Sequence, residues 1–154
     1  MNVFLLSVAA TSAGPIINRP LRRSMEQFQG CVVGSDVDLD RLQQAGADYC
    51  DLISQFGRFA KPSVANVREC LHKISVSKKG LGVSSMLALL EGECAAGAHK
   101  PGGVLLDPSG AIGLLWVRRG LLFWAHVFEQ QAKVMMRPMR GGGSSLKEQA
   151  SSPL

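Results

Sequence analysis

Residues Gly113–Phe128 read GLLWVRRGLLFWAHVF, an apolar run broken near its middle by a tryptophan and two adjacent arginines. A helix turns by about 100° per residue, which puts Ile112, Trp116, Arg119, Phe123 and Val127 on one side, with Gly113 and Gly120 flanking the indole. Arg118 points nearly the opposite way, toward Leu114, Ala125 and Glu129. The run is the best window in the chain for a membrane span, but both arginines would then lie near the bilayer centre at a cost of several kcal/mol, so no span is expected. Two uses of the Trp116 face stay open. In one, Trp116 is core, the glycines let a neighbouring helix approach, and Arg119 snorkels or pairs with a carboxylate. In the other, the indole is a stacking surface for a sugar ring, with Arg119 and nearby amides supplying hydrogen bonds.

Working outward, HKPGGVLLDPSG (His99–Gly110) is rich in Gly and Pro and reads as a loop. It ends in Asp107, Pro108 and Ser109, which suit the N-cap and first turn of a final helix from about Gly110 to Lys133. Before it, VSSMLALLEGECAAGA predicts a helix capped by Ser84 or Ser85. PSVANVRECLHKI opens with Pro62, good at a first helical position, and repeats Val64, Val67, Leu71 and Ile74 along one side, giving an amphipathic helix of about three turns. Between Ser35 and Ala60, the residues Val37, Leu39, Leu42, Ala45, Tyr49, Leu52, Ile53 and Phe56 recur at helical spacing behind Ser35 and Asp36 as candidate caps. Gly46 and Gly57 soften or end these helices, and Gly80 and Gly82 punctuate. No run alternates with the period of a half-buried strand, so the fold class is all-α.

The chain divides into an N-terminal segment 1–27 that leads into the first helix or is flexible, a helical domain 28–133, and a Gly/Ser-rich basic tail 134–154 that cannot bury enough apolar area to order itself. The opening MNVFLLSVAATSA lacks a basic residue ahead of its apolar part, so a cleaved signal is the lesser alternative and a cytoplasmic protein the expectation. With 154 residues, 46% of them hydrophobic and 19% charged, one domain with a buried core is expected. The net charge of +5 would suit an anionic partner. Several of the excess cations lie in two places, Arg19, Arg22 and Arg23 and Lys133, Arg137, Arg140 and Lys147, rather than interleaved with aromatics, so nucleic-acid binding is not expected.

Cys31, Cys50, Cys70 and Cys94 form no CxxC pair, and His72, His99 and His126 are scattered, so neither a metal site, a disulfide framework nor any cofactor is indicated. Gly80–Gly82 is not a phosphate loop, because no GK[ST] follows it. Ser84, His99 and Asp107 form no nucleophile, base and orienter grouping and read as caps and loop residues, so no enzyme is expected.

The string LLWVRRGLLF, preceded by a loop and a LALLEGE helix, resembles the glycolipid transfer protein family, as does QFGRFAKPSVANV, a glycine and aromatic turn leading into a helix that bears headgroup ligands. The resemblance covers roughly residues 28–131. It implies an all-α, two-layer helical bundle that carries a sphingolipid between membranes without chemistry, the headgroup in a surface site and the chains in an apolar pocket between the layers. Trp116 matches the tryptophan on which the first sugar stacks. The phosphate-binding branch, which takes ceramide-1-phosphate, has arginine there and four residues earlier, where this chain has Trp116 and Ile112, so a glycosylated lipid is implied. Headgroup contacts then fall to Asn66, Trp116 and Arg119, and pocket contacts to Ile112 and Phe123.

Two departures accompany the match. The family's headgroup aspartate falls at Pro62 and its lysine at Glu69, leaving the asparagine at Asn66; sugar affinity is expected to be impaired. The family's later helices, with their headgroup histidine, have no counterpart, and His126 does not stand at that position. A bundle incomplete on its C-terminal side would leave apolar faces to be covered by transient peripheral membrane contact or a dimer. The alternative reading is a helical protein–protein interaction module without a lipid ligand, the Trp116 face packing on a partner helix.

Overall fold

The computed structural model describes residues 18–135 and is all-α apart from one minimal hairpin. In chain order come α1 (Asn18–Gln29), β1 (Val32–Val33), β2 (Asp36–Val37), α2 (Leu39–Ser54), a 3-10 turn (Gly57–Phe59), α3 (Lys61–Leu81), α4 (Met86–Ala95) and α5 (Gly110–Met135). Helix α3 is the central element, packed against α2, α4 and α5, and α1 lies on α2.

Glycine sets the closest approaches. A Cβ on Gly113 would stand 2.7 Å from the Cys70 carbonyl oxygen, one on Gly120 3.3 Å from Val67 Cγ2, and one on Gly46 2.8 Å from Leu71 Cδ1. As α5 advances from Gly113 to Trp124 its partners on α3 retreat from Cys70 through Val67 to Ser63, so the two helices are antiparallel. Between Gly110 and Gln131 α5 is long and apolar enough to cross a bilayer; here it lies along α3. Of the two uses open for Gly113 and Gly120, the neighbouring helix is the one realised.

The core gathers Leu39, Leu42, Val67, Leu71, Ile74, Leu89 and Val117, each worth about 1.5–3 kcal/mol on burial. A second cluster joins Tyr49, Ile53 and Ala60 to Trp124, which is 1% exposed and donates its indole N–H to Ser63 Oγ at 2.7 Å. The tryptophan that serves the core is therefore Trp124, while Trp116 is 44% exposed.

Several expectations need correction. The N-cap of α2 is Asp38, not Ser35 or Asp36: its carboxylate accepts from the Asp40 and Arg41 amides at 2.9 and 3.0 Å. Val37 and Asp36 belong instead to β2, paired antiparallel with β1 across a turn in which Gly34 takes φ 63°. Two-residue strands are too short to show an alternating pattern. Asp36 accepts from the Leu87 amide at 3.0 Å and so pins the start of α4; Ser85, not Ser84, caps that helix, accepting from the Ala88 amide. Helix α2 stops at Ser54, so Phe56 lies beyond it and is exposed. Helix α3 runs 21 residues rather than about three turns, passing through Gly80 and ending where Gly82 adopts φ 67°.

Ser109 caps α5, its hydroxyl accepting from the Ile112 amide at 3.2 Å. Helix α1 begins at Asn18, so the boundary placed at residue 28 falls in its last turn. The candidate signal at 1–13 and nearly all of the tail at 134–154 lie outside the described residues.

Candidate functional site

Helices α3 and α5 place Trp116 in an open cleft of about 380 Å³ together with Pro62, Ala65, Asn66, Glu69, Cys70 and Lys73. The α3 members recur at positions 62, 66, 69 and 73, one face of a helix. The cleft thus brings together Asn66 and Trp116, residues fifty positions apart in sequence. Arg119 joins them from the next turn of α5, its guanidinium carbon 4.8 Å from the Trp116 ring centroid.

Lys73 was missed by the sequence reading, although it stands seven residues after Asn66 on the same face. Its ammonium bonds to Asp107 at 2.8 Å and Glu69 at 3.1 Å. Those hydrogen bonds, the Asp107 one foremost, raise the Lys73 pKa above the ordinary lysine value. Asp107, expected as part of the α5 cap, instead ties the preceding loop to α3. Burial pushes the Cys70 thiol up, which keeps it protonated, and the thiol donates to Asn66 Oδ1 at 3.2 Å. The cleft therefore offers an indole plate, a carboxamide, a carboxylate and an ammonium side by side, with Glu69 and Asp107 both bonded to Lys73.

Ile112 and Phe123, expected in an apolar pocket, are not in the apolar cavity the fold contains. That cavity, about 180 Å³, lies between α1, α2 and α5, walled by Leu21, Met25, Phe28, Val32, Tyr49, Leu121, Trp124 and Phe128. The physical reason is helical phase: Leu121, Trp124, Ala125 and Phe128 look away from the face of α5 that carries Ile112, Trp116 and Phe123. Ile112 is half-buried, and Phe123 is 51% exposed with its ring edge-on to Trp124, centroids 5.6 Å apart. Five of the eleven residues that wall the cavity come from α1, whose Leu21, Met25 and Phe28 recur at helical spacing in PLRRSMEQF. That periodicity was the available signal. The Tyr49 phenol is buried without a hydrogen-bond partner among the described residues, and burial holds its pKa far above the ordinary value.

A separate polar knot closes the loop before α5. Glu93, its side chain 4% exposed, accepts from the Gly110 and Ala111 amides at 2.5 and 3.0 Å and from the Ser77 hydroxyl. His99 Nε2 lies 3.1 Å from Oε2, the oxygen that also accepts from Ala111, while the Leu106 amide donates to His99 Nδ1, which makes Nε2 the protonated nitrogen. Burial would raise the Glu93 pKa, but the bonds from Ser77, Ala111, Gly110 and His99 outweigh it and hold the carboxyl below its ordinary value. The carboxylate sits on the amides of the first turn of α5, where the helix dipole also favours an anion. Serine and histidine meet only through Glu93, so the group is a clamp in which the hydroxyl does not face the imidazole.

Compared with protein-family models, curated protein sequences and solved structures, the chain matches none.

Proposed function

We propose that this chain is a non-catalytic lipid-binding protein of the glycolipid transfer type, which takes up a sphingolipid with a sugar headgroup and carries it between membrane surfaces. The observation that carries the reading is the meeting of the exposed Trp116 indole with Asn66, Glu69 and Lys73 in one cleft. Sugar recognition calls for an apolar plate under the ring face and a mixed set of donors and acceptors around the hydroxyls. Pro62 removes one carboxylate from the pattern the family resemblance implies and Glu69 removes a cation. Glu69 and Lys73 together return one of each to the same cleft, at other positions of α3. Lys73, the cation inside the cleft, is compensated by Asp107 and Glu69, which favours a neutral polyhydroxyl headgroup over a phosphate.

Arg119 lies over the indole, but no carboxylate among the described residues holds it, so it is free to swing onto a bound headgroup. Trp116 and Trp124 are eight residues apart on α5, about 12 Å along the axis, and the cavity lies on the opposite side of that helix from the cleft, so a sphingoid chain that occupies both passes around α5.

The test is titration of the purified chain with a glucosylated ceramide, read by tryptophan fluorescence and by transfer between vesicle populations. Trp116→Ala is expected to weaken binding roughly tenfold or more with unchanged circular dichroism, since the indole is outside the core. Loss of helicity together with binding, or unchanged binding, would count against the proposal.

A further inference from the structure

We infer that the end of the bundle formed by the 3-10 turn, the start of α3 and the middle of α5 is a docking face for anionic bilayers. Phe56, Phe59 and Phe123 each pack against Trp124, with centroid separations of 5.5, 6.0 and 5.6 Å, so all three belong to one patch around one indole. All three are exposed nonetheless, Phe59 by 70%. Clustered phenylalanines held out into water are costly unless another apolar medium receives them.

Charge selects that medium. Residues 52–68 and 117–128, which build this end, contain no aspartate or glutamate and five arginines and lysines; Glu129, at their margin, is bonded to Lys133. Arg68 is bonded to Asp51; Arg58 and Lys61, which flank Phe59, and Arg119, one turn before Phe123, are exposed and have no carboxylate partner among the described residues. Rings that enter the acyl boundary beside cations at headgroup level are the pattern of an interfacial anchor. A second copy of the chain fits poorly, because two such ends would oppose like charges. The Trp116–Arg119–Phe123 stripe runs from the cleft to this end along one face of α5, and Phe56 also touches Phe128 of the cavity wall. A chain docked this way holds the Arg119 side of the cleft and the Phe128 edge of the cavity near the bilayer.

The inference does not depend on what fills the Trp116 cleft, and its test contains no sphingolipid, so failure of one leaves the other standing. The experiment is co-sedimentation of the chain with vesicles of phosphatidylcholine alone and of equal parts phosphatidylcholine and phosphatidylserine. Binding to the mixed vesicles is expected to be on the order of tenfold tighter or more, at about fivefold per contacting cation, and to weaken at high salt. Arg58→Gln with Lys61→Gln should remove the preference; Phe59→Ser with Phe123→Ser should weaken binding to both vesicle types. Both cations are exposed and bond to nothing described, so that pair keeps the test valid even if the phenylalanine pair fails to fold. Equal binding to the two vesicle types overturns the inference. So does a self-association of the wild-type chain that Phe59→Ser abolishes while vesicle binding persists, which would make the face an interface between copies.

Discussion

Glu93 shows how one side chain can hold a loop and two helices together. An ionised carboxylate inside a protein is unfavourable unless its oxygens are satisfied, and here four donors from α3, the loop and the start of α5 converge on it. Glu93→Gln replaces one acceptor with a donor that faces donors, so a loss of about 2 kcal/mol in unfolding free energy is expected, measured from urea midpoints at unchanged slope. Because the folded pKa is depressed, this contribution is complete above the unfolded value of about 4.3 and disappears as pH falls through the lower folded one. The wild type should therefore lose stability below roughly pH 4.5 more steeply than Glu93→Gln. Parallel pH profiles for the two would show that the fold does not depress the Glu93 pKa.

At the scale of the element, the α3–α5 seam rests on two glycines of unequal tightness. At Gly113 the obstacle to a Cβ is the Cys70 carbonyl, backbone that cannot step aside; at Gly120 it is one methyl of Val67 at 3.3 Å. Gly→Ala within a helix gains about 1 kcal/mol from propensity, against about 1–3 kcal/mol for overpacking. Gly113→Ala should thus lower stability by about 2 kcal/mol, the upper end of that balance, while Gly120→Ala is neutral or slightly stabilising. Chemical denaturation ranks them, and the reverse order would mean that the helices are not seated as described.

These glycines were legible in the sequence as flanks of an indole, and so were α3, α4 and α5, because long amphipathic runs with Pro62, Ser85, Ser109 and Gly82 at their ends announce themselves. The hairpin at Val32–Val37 was not, since its pairing is a tertiary fact in which Asp36 and Asp38 reach to α4. Helix α1 was missed because a domain border had been drawn from where the resemblance began. The site followed the same division. Asn66, Trp116 and Arg119 meet because one turn of one helix faces one turn of another. Ile112 and Phe123 failed as pocket residues because an apolar residue on a helix face does not say which neighbour, or whether solvent, lies beyond it.

For the whole molecule, stability and the proposed ligand make opposite demands on the cavity between α1, α2 and α5. An apolar void of about 180 Å³ beside the buried Trp124 is a defect for a protein selected only to stay folded, since filling such space commonly adds about 0.5–2 kcal/mol. Ala125 lines that void from α5, half-buried and opposite the cleft face. Ala125→Leu therefore separates the two demands: it should raise the urea midpoint by the equivalent of about 1 kcal/mol and weaken binding of a long-chain glucosylated ceramide, with less effect on a short-chain one. Trp116→Ala should do the converse, weakening both ligands alike and leaving stability unchanged. A more stable Ala125→Leu that binds the long-chain lipid as the wild type does would mean that the hydrocarbon lies elsewhere, and the void would then be an ordinary packing gap between α1 and α5.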